Sequence, residues 1–473
     1  MKYVLMKLVS VKYFSVRGED MFVGREKEIK LIKEFSKNKG KALIIYGKRK
    51  VGKTTLLKEA LKNEKYVYFE CIKSTLIDNV NAFVNTLIEN NIIDFDYGFN
   101  NMISVFKYLN SLNIKLNIII DEYPYLKLFE KGETIDSIFQ NIIDNYLSNI
   151  SLFISGSHIG MMKNMLEEKN ALFGRFSTLI KLNELNYKET EAFYPNLNAY
   201  DKIGIYSIFG GSPFINNFIN PNKTLKENIL NTILNPNSSI SNYAENLLIS
   251  DLSNSVNAER ILYSIANGKK KYNEIESKLG LASNGLLSKQ LNILLDMELI
   301  KKIYPINAKE DKKKVYYEIN DNLLRFYYSY IYRRKSQLEL LGTDLFYDQY
   351  IEPSITTFIS HRFEDIARTY FSILAKKGKL NSIYDIGTYY YDDSKNKTNG
   401  EFDVALKFED SYSIYECKYY KKDITHDEIL KEINQVKQIK GININKIGFI
   451  NASNQVNVSG EYEIISGSDL YNV

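Results

Sequence analysis

The sequence predicts a multidomain α/β protein: a parallel-sheet core, a helical lid, a winged helix-turn-helix, and a C-terminal α/β domain of element order αβββαβ. Three observations carry this. Between residues 41 and 157 short β-branched runs alternate with longer helical patterns, as in a parallel sheet with crossover helices. From 183 to 256 the pattern is wholly helical. From 257 onward strands return in two different rhythms, one short and one long. The expected boundaries are 1–182, 183–256, 257–343 and 344–473. A chain of 473 residues has room for several cores at ~150 residues per domain.

In the core the elements run "ALIIYG", a helix from Thr54, "KYVYFEC", two amphipathic helices, "LNIIIDE" and "SLFISGS". "GGSP" at 210–213 punctuates the lid. Next come "NAERILYSIANG", "KYNEIESKLGL" and "SNGLLSKQLNILLDMELI", then strands "KKIYPI" and "KKKVYYEI" around the charged turn "NAKEDK". Three short helices followed by a hairpin outline a winged helix. The last section reads as a helix over 355–376, strands over 382–391, 402–408 and 412–419, a helix over 426–440 and a strand over 446–451.

Composition narrows the function classes. Lys and Arg outnumber Asp and Glu by 62 to 57, a balance of +5, too thin over this length to mark a nucleic-acid partner by itself. Cys71 and Cys417 are far apart and form no CxxC or Cys/His cluster, so neither a disulfide framework nor a zinc site is expected. Lysines break the apolar run of "MKYVLMKLVSVKYFSVRGED", and no stretch reaches ~18 uninterrupted apolar residues. The expectation is a cytoplasmic protein with no membrane partner.

"GKRKVGKT" fits G-x-x-x-x-G-K-[ST] between a strand and a helical pattern. In that setting the backbone N–H groups of Gly47, Lys48, Arg49, Lys50, Val51, Gly52, Lys53 and Thr54 point at phosphate oxygens. Lys53 would reach the β and γ phosphates and Thr54 would ligate Mg²⁺. "LNIIIDE" places Asp121 and Glu122 at the C-terminal end of a buried strand, where parallel sheets bind ligands. Asp121 is the expected Mg²⁺ partner, and Glu122 the group that polarises an attacking water.

The series "MFVGREKEIKLI", the phosphate loop, "IIIDEYPYL", "ISGSHIGMM", "ALFGRF" and "GGSPF" resembles the motif order of the archaeal ATPase family, a branch of the AAA+ and STAND P-loop NTPases. The resemblance covers about residues 20–335 and implies ATP and Mg²⁺ as cofactors. It implies a sensor-like role for Ser157 and makes Arg175 a candidate arginine finger, acting in cis or, in a homo-oligomer, in trans. A plain surface arginine is the other reading of Arg175. Gly24 and Arg25 would lie near the adenine, "GGSP" would start a lid helix, and His158 would pack or hydrogen-bond.

The helix from about Ser283 to Met297 is the expected recognition helix, with Asn284, Ser288, Lys289, Gln290 and Asn292 as base readers. Lys312, Lys313 and Lys314 in the wing could meet phosphates, although Glu310 and Asp311 sit among them. A packing role without DNA is equally open for this module.

E-x-K occurs at Glu28/Lys30, Glu167/Lys169, Glu276/Lys278 and Glu310/Lys312 as well as at Glu416/Lys418. Only the last pair falls in a strand pattern, so that both side chains leave the same face. If "GEFDVALKF" pairs with that strand through Glu409-Asp410 as a two-residue turn, Asp403 lies opposite Glu416. Opposed carboxylates are destabilising unless compensated, and a divalent cation would compensate. The segment 344–470 resembles the PD-(D/E)XK nuclease superfamily, with Phe402 where the motif has proline. That resemblance implies Glu364 as a first-helix acid, Asp403 and Glu416 as metal ligands, Lys418 as a catalytic lysine and Gln435 as a supporting polar residue. The expected function is an ATP-hydrolysing switch coupled to a metal-dependent nuclease acting on DNA. The alternative is a STAND-like switch whose silent nuclease-like domain binds DNA or a partner protein.

Overall fold

The computed structural model describes residues 22–473 apart from 131, 244, 247–256, 281–284, 310, 312–313, 394–397, 438, 440 and 456–460. Part of the lid boundary, Asn284 and the wing residues Glu310, Lys312 and Lys313 therefore lie outside the described residues.

Five parallel strands form the first sheet: β1 (Lys41–Tyr46), β2 (Tyr66–Glu70), β3 (Leu116–Asp121), β4 (Ile150–Gly156) and β5 (Phe176–Lys181). Their order is β2-β3-β4-β1-β5. β3 and β4 are buried along their whole length, as a sheet covered on both faces requires. Because β4 lies between β1 and β3, its C-terminal end falls between the loop after β1 and the acids ending β3.

The described part of 183–246 contains no strand and carries helices Tyr187–Thr190, Ala199–Phe209, Pro213–Asn216 and Leu225–Thr232. Helices Ala258–Ile265, Tyr272–Leu279 and Leu286–Asp296 follow, accompanied by a small sheet of β6 (Lys270–Lys271), β7 (Ile300–Ile303) and β8 (Tyr316–Ile319) in the order β6-β8-β7. A two-residue strand such as β6 has no periodicity to reveal it in sequence. Within the Leu286–Asp296 helix, Gln290 faces inward with Leu287, Leu291 and Leu294, so it reads no base, whereas Ser288, Lys289 and Asn292 are exposed.

The second large sheet comprises β9 (Asp385–Asp393), β10 (Thr398–Lys407), β11 (Tyr412–Lys418), β12 (Ile444–Asn451) and β13 (Glu463–Ile465) in the order β13-β12-β11-β10-β9. The helix Ile355–Lys376 lies against it, and the helix His426–Lys437 connects β11 to β12. β10 and β11 pair antiparallel with Val404 opposite Tyr415 and Lys407 opposite Tyr412. The turn closes through Phe408 N–H donating to the Ser411 carbonyl at 2.9 Å. This is the register expected from a Glu409-Asp410 turn.

Most buried apolar residues of the 185–471 region form one cluster, separate from the two clusters on the faces of the first sheet, while two smaller ones, around Phe449 and around Phe402, complete the second sheet. The lid is tied to the last sheet within it. Tyr200 stacks on Tyr419 with centroids 4.2 Å apart, Tyr419 Oη donates to the Tyr200 carbonyl at 3.2 Å, and Tyr187 Oη donates to the Leu470 carbonyl at 2.7 Å.

Candidate nucleotide site and C-terminal acid site

The loop after β1 has the backbone that its glycines permit. Gly52 has φ +92°, which a side chain would disfavour, and a Cβ on Gly47 would lie 2.1 Å from the Leu182 carbonyl oxygen. The Lys53 ammonium is buried and donates to the Gly47 and Lys48 carbonyls, each at 2.9 Å. Thr54 Oγ1 donates to Asp121 Oδ2 at 2.6 Å, and Tyr68 Oη donates to the same oxygen at 2.9 Å. Glu122 sits at φ +50° and turns its carboxylate onto Ser157, accepting from Ser157 N at 3.1 Å and Oγ at 2.8 Å. The order of the sheet, with β4 inside, is what brings Ser157 there. His158 Nδ1 caps the next helix by accepting from Met161 N at 3.3 Å.

Groups remote in sequence close around this loop. Lys48 pairs with Glu184 at 3.3 Å and Asp321 at 3.6 Å; burial opposes its charge, but the two carboxylates outweigh burial and raise its pKa. Ser212 Oγ donates to the Lys50 carbonyl at 3.0 Å, seating "GGSP" on the loop. A Cβ on Gly211 would stand 1.7 Å from the Leu185 carbonyl oxygen, so the close approach needs glycine. Glu298 holds Lys181 at 2.6 Å and Lys163 at 3.1 Å, clamping the 258–319 segment to the first sheet. Arg25 donates to the Asn183 carbonyl at 2.5 Å, at the joint between that sheet and the lid.

Arg175 stands elsewhere. It immediately precedes β5, whose first residue Phe176 pairs with Ala42 near the start of β1, while the phosphate loop follows the other end of that strand. About 15 Å of strand at ~3.3 Å per residue separates them, which removes the cis arginine-finger reading. The guanidinium is held by Asp144 at 3.1 Å and by the Ala171 and Phe173 carbonyls.

In the second sheet, extending the β10/β11 register brings Asp403 beside Glu416. Asp403 Oδ2 accepts from Cys417 N at 2.8 Å. Burial, then the charge of Glu364, pushes the Asp403 carboxyl up to about 7; burial, then Asp403, pushes Glu416 up to about 9. Lys418 Nζ lies 3.8 Å from Glu416 Oε2 and 3.0 Å from Glu432 Oε1. Burial lowers its pKa, but Glu416 and Glu432 more than offset this.

The three expected metal ligands do not converge. Among the described residues no three His, Cys, Asp or Glu side chains are placed to hold a metal ion. The physical reason is Arg368, which donates to the Asp403 carbonyl and draws Glu364 to 3.7 Å, while His361 sits 3.4 Å from Glu364 on its other side. Asp403 and Glu416 alone form an acid pair. Gln435 does not support the site: its Nε2 donates to Tyr391 Oη at 3.2 Å, and Glu432 is the residue of that helix which reaches Lys418.

Residues 22–215 match the model of an ATPase domain predominantly from Archaea. The chain carries an archaeal ATPase domain. Residues 327–435 match a second family, of archaeal and bacterial proteins of unknown function. An uncharacterized protein of Methanocaldococcus jannaschii is 29% identical over 371 residues, covering 76% of this chain and 79% of its own length. An uncharacterized ATP-binding protein of the same organism is 44% identical over 49 residues, 10% of this chain and 83% of its own. Among solved structures, the Walker-type ATPase of Pyrococcus abyssi aligns with a TM-score of 0.50 and 16% identity over 65% of this chain and 96% of its own, which shows a shared fold.

The archaeal ATPase domain brings together the loop residues, Asp121, Glu122 and Ser157. Motif spacing did not disclose Tyr68, which reads as a core aromatic in an apolar strand, or Glu184 and Asp321, which have no local signal linking them to Lys48. Among the described residues no helix is long and apolar enough to cross a membrane.

Proposed function

We propose that the chain is an ATP-hydrolysing switch whose nucleotide state controls a metal-dependent nuclease site in the second sheet, acting on DNA. The observation that carries the second half is a half-buried acid pair, Asp403 and Glu416, with the Lys418 ammonium 3.8 Å from Glu416. In the ATPase domain Lys53 would exchange its two carbonyl partners for phosphate oxygens, and Thr54 and Asp121 would hold Mg²⁺. Mg²⁺ there would offset phosphate charge. Glu122 would orient the attacking water, and its present bond to Ser157 makes that orientation sensitive to the loop.

In the second site, a divalent cation held by Asp403 and Glu416 would supply Lewis acidity at phosphorus. Lys418 would stabilise negative charge developing on the scissile phosphate. Coupling is supported by a run of ion pairs. Lys48 of the phosphate loop meets Asp321, which caps the helix Asn322–Phe326 bearing Arg325. Arg325 and Arg362 both bind Glu318, and Asp365 joins Arg362 to Arg368, which touches Asp403 and Glu364.

The test compares Mg²⁺- or Mn²⁺-dependent cutting of DNA by wild type, Asp403→Ala and Lys418→Ala, with and without ATP, alongside phosphate release by wild type and Lys53→Ala. Cutting that both second-sheet variants abolish, and that Lys53→Ala alters, is expected. A second reading, a nuclease-like fold that binds without cleaving, is favoured by the position of Glu364 on Arg368. Absence of cutting under every condition would select it.

A further inference from the structure

Where the turn Asn267–Lys269, strand β7 and the helix Ile355–Lys376 meet, they enclose a cavity of about 410 Å³. Six of its lining side chains are cationic: Lys269, Lys301, Lys302, Arg325, Arg362 and Arg368. Four lining carboxylates leave a surplus of two positive charges. Those carboxylates are already engaged. Glu318 binds Arg325 and Arg362, Lys301 reaches Asp365 at 3.1 Å, Lys269 holds Glu401 at 2.5 Å, and Glu364 rests on Arg368 and His361.

Two donors remain. Lys302 is exposed, and no carboxylate among the described residues pairs with it; its described partner is the Tyr317 ring, 5.9 Å away. Arg362 is 4% exposed, spends its two terminal nitrogens on Glu318 and Asp365, and leaves Nε buried with no acceptor. The surplus of positive charge and the exposed Lys302 ammonium favour an anion in this cavity. Each phosphodiester of a strand carries one negative charge, so two successive linkages match the local surplus. The volume lies within the ~300–1,000 Å³ of small-ligand sites. It suits one or two nucleotide units and leaves no room for a duplex.

We propose that this cavity binds the phosphate of a nucleotide unit, presented by a single strand of nucleic acid that runs on past Glu364 towards Asp403, Glu416 and Lys418. This rests on the nuclease reading for the direction of the strand, but not for its binding.

The experiment measures anisotropy of a fluorescein-labelled single-stranded oligodeoxynucleotide of about ten units with the full chain in EDTA, where cutting is suppressed whatever the catalytic outcome. Lys302→Glu should weaken binding at least ~10-fold, as loss and reversal of a close phosphate contact predicts, and lower its salt dependence. Lys30→Glu, on the exposed face of the helix Glu26–Lys37 in the ATPase domain, should leave affinity unchanged. Unaltered melting of Lys302→Glu secures the comparison. Equal strand affinity of wild type and Lys302→Glu overturns the proposal, as does preference for duplex over single strand. Displacement by equimolar nucleoside monophosphate would overturn the strand as the source and leave a free nucleotide as the ligand. Strand binding without cutting in Mn²⁺ would sustain the cavity and sink the nuclease reading.

Discussion

At the scale of single residues, Asp121 is the pivot of the ATPase domain because one of its oxygens receives two hydroxyls, from Thr54 and from Tyr68. Tyr68→Phe removes one donor at constant shape. Hydrolysis of Mg²⁺-ATP should fall several-fold while nucleotide binding in EDTA is kept, read by phosphate release and by a fluorescent nucleotide. The acid pair gives a second expectation. Carboxyls held at about 7 and about 9 are protonated more readily in the folded chain than in the unfolded one. The stability they permit is therefore whole below the ordinary carboxylate range near ~4, and is lost as pH climbs through the folded values. Without divalent metal the melting temperature should decline between about pH 5 and 9, and Asp403→Asn should flatten that decline. Glu416 was legible because Lys418 follows it two residues on in a strand, Asp403 because the turn register sets it opposite, and Asp121 and Glu122 because they end a buried strand. Arg368 was not, since an arginine on an amphipathic helix looks the same whether it faces water or a carboxylate.

At the scale of elements, close backbone approach governs the phosphate loop. Gly211→Ala would drive a methyl group into the Leu185 carbonyl, 1.7 Å from the ideal position, and unseat Ser212 from Lys50. Nucleotide affinity should drop by ~10-fold or more, about 1.4 kcal/mol, with a lower melting temperature; titration calorimetry and a thermal melt check both. Long periodic elements were readable almost to the residue, as the helix Ile355–Lys376 and the β10/β11 register show. Short ones were not. β6 and β13 have two and three residues, too few for any period to emerge. Gln290 was misplaced for a related reason: glutamine on a recognition-helix pattern suggests a base reader, but only the packing partners reveal which face is inward.

At the scale of the whole molecule, burial joins what sequence patterns divide. The cluster from Leu185 to Tyr471 is shared by the lid, the 258–319 segment and the second sheet. A fragment of residues 183–473 should accordingly unfold in a single cooperative urea transition followed by circular dichroism. A fragment of 344–473 should not, because Phe358 and Ile359 would lose their partners in the rest of the cluster. The same joining has a mechanical side. Lys418 and Tyr419 are consecutive, so their side chains leave opposite faces of the chain: one ammonium stands among the acids, while one phenol is stacked on the lid helix. They share a peptide unit, so under the proposed coupling they would act as the two arms of a rocker. A swing of the Ala199–Phe209 helix that carries Tyr200 must either break that stack or tilt the charge on the far side.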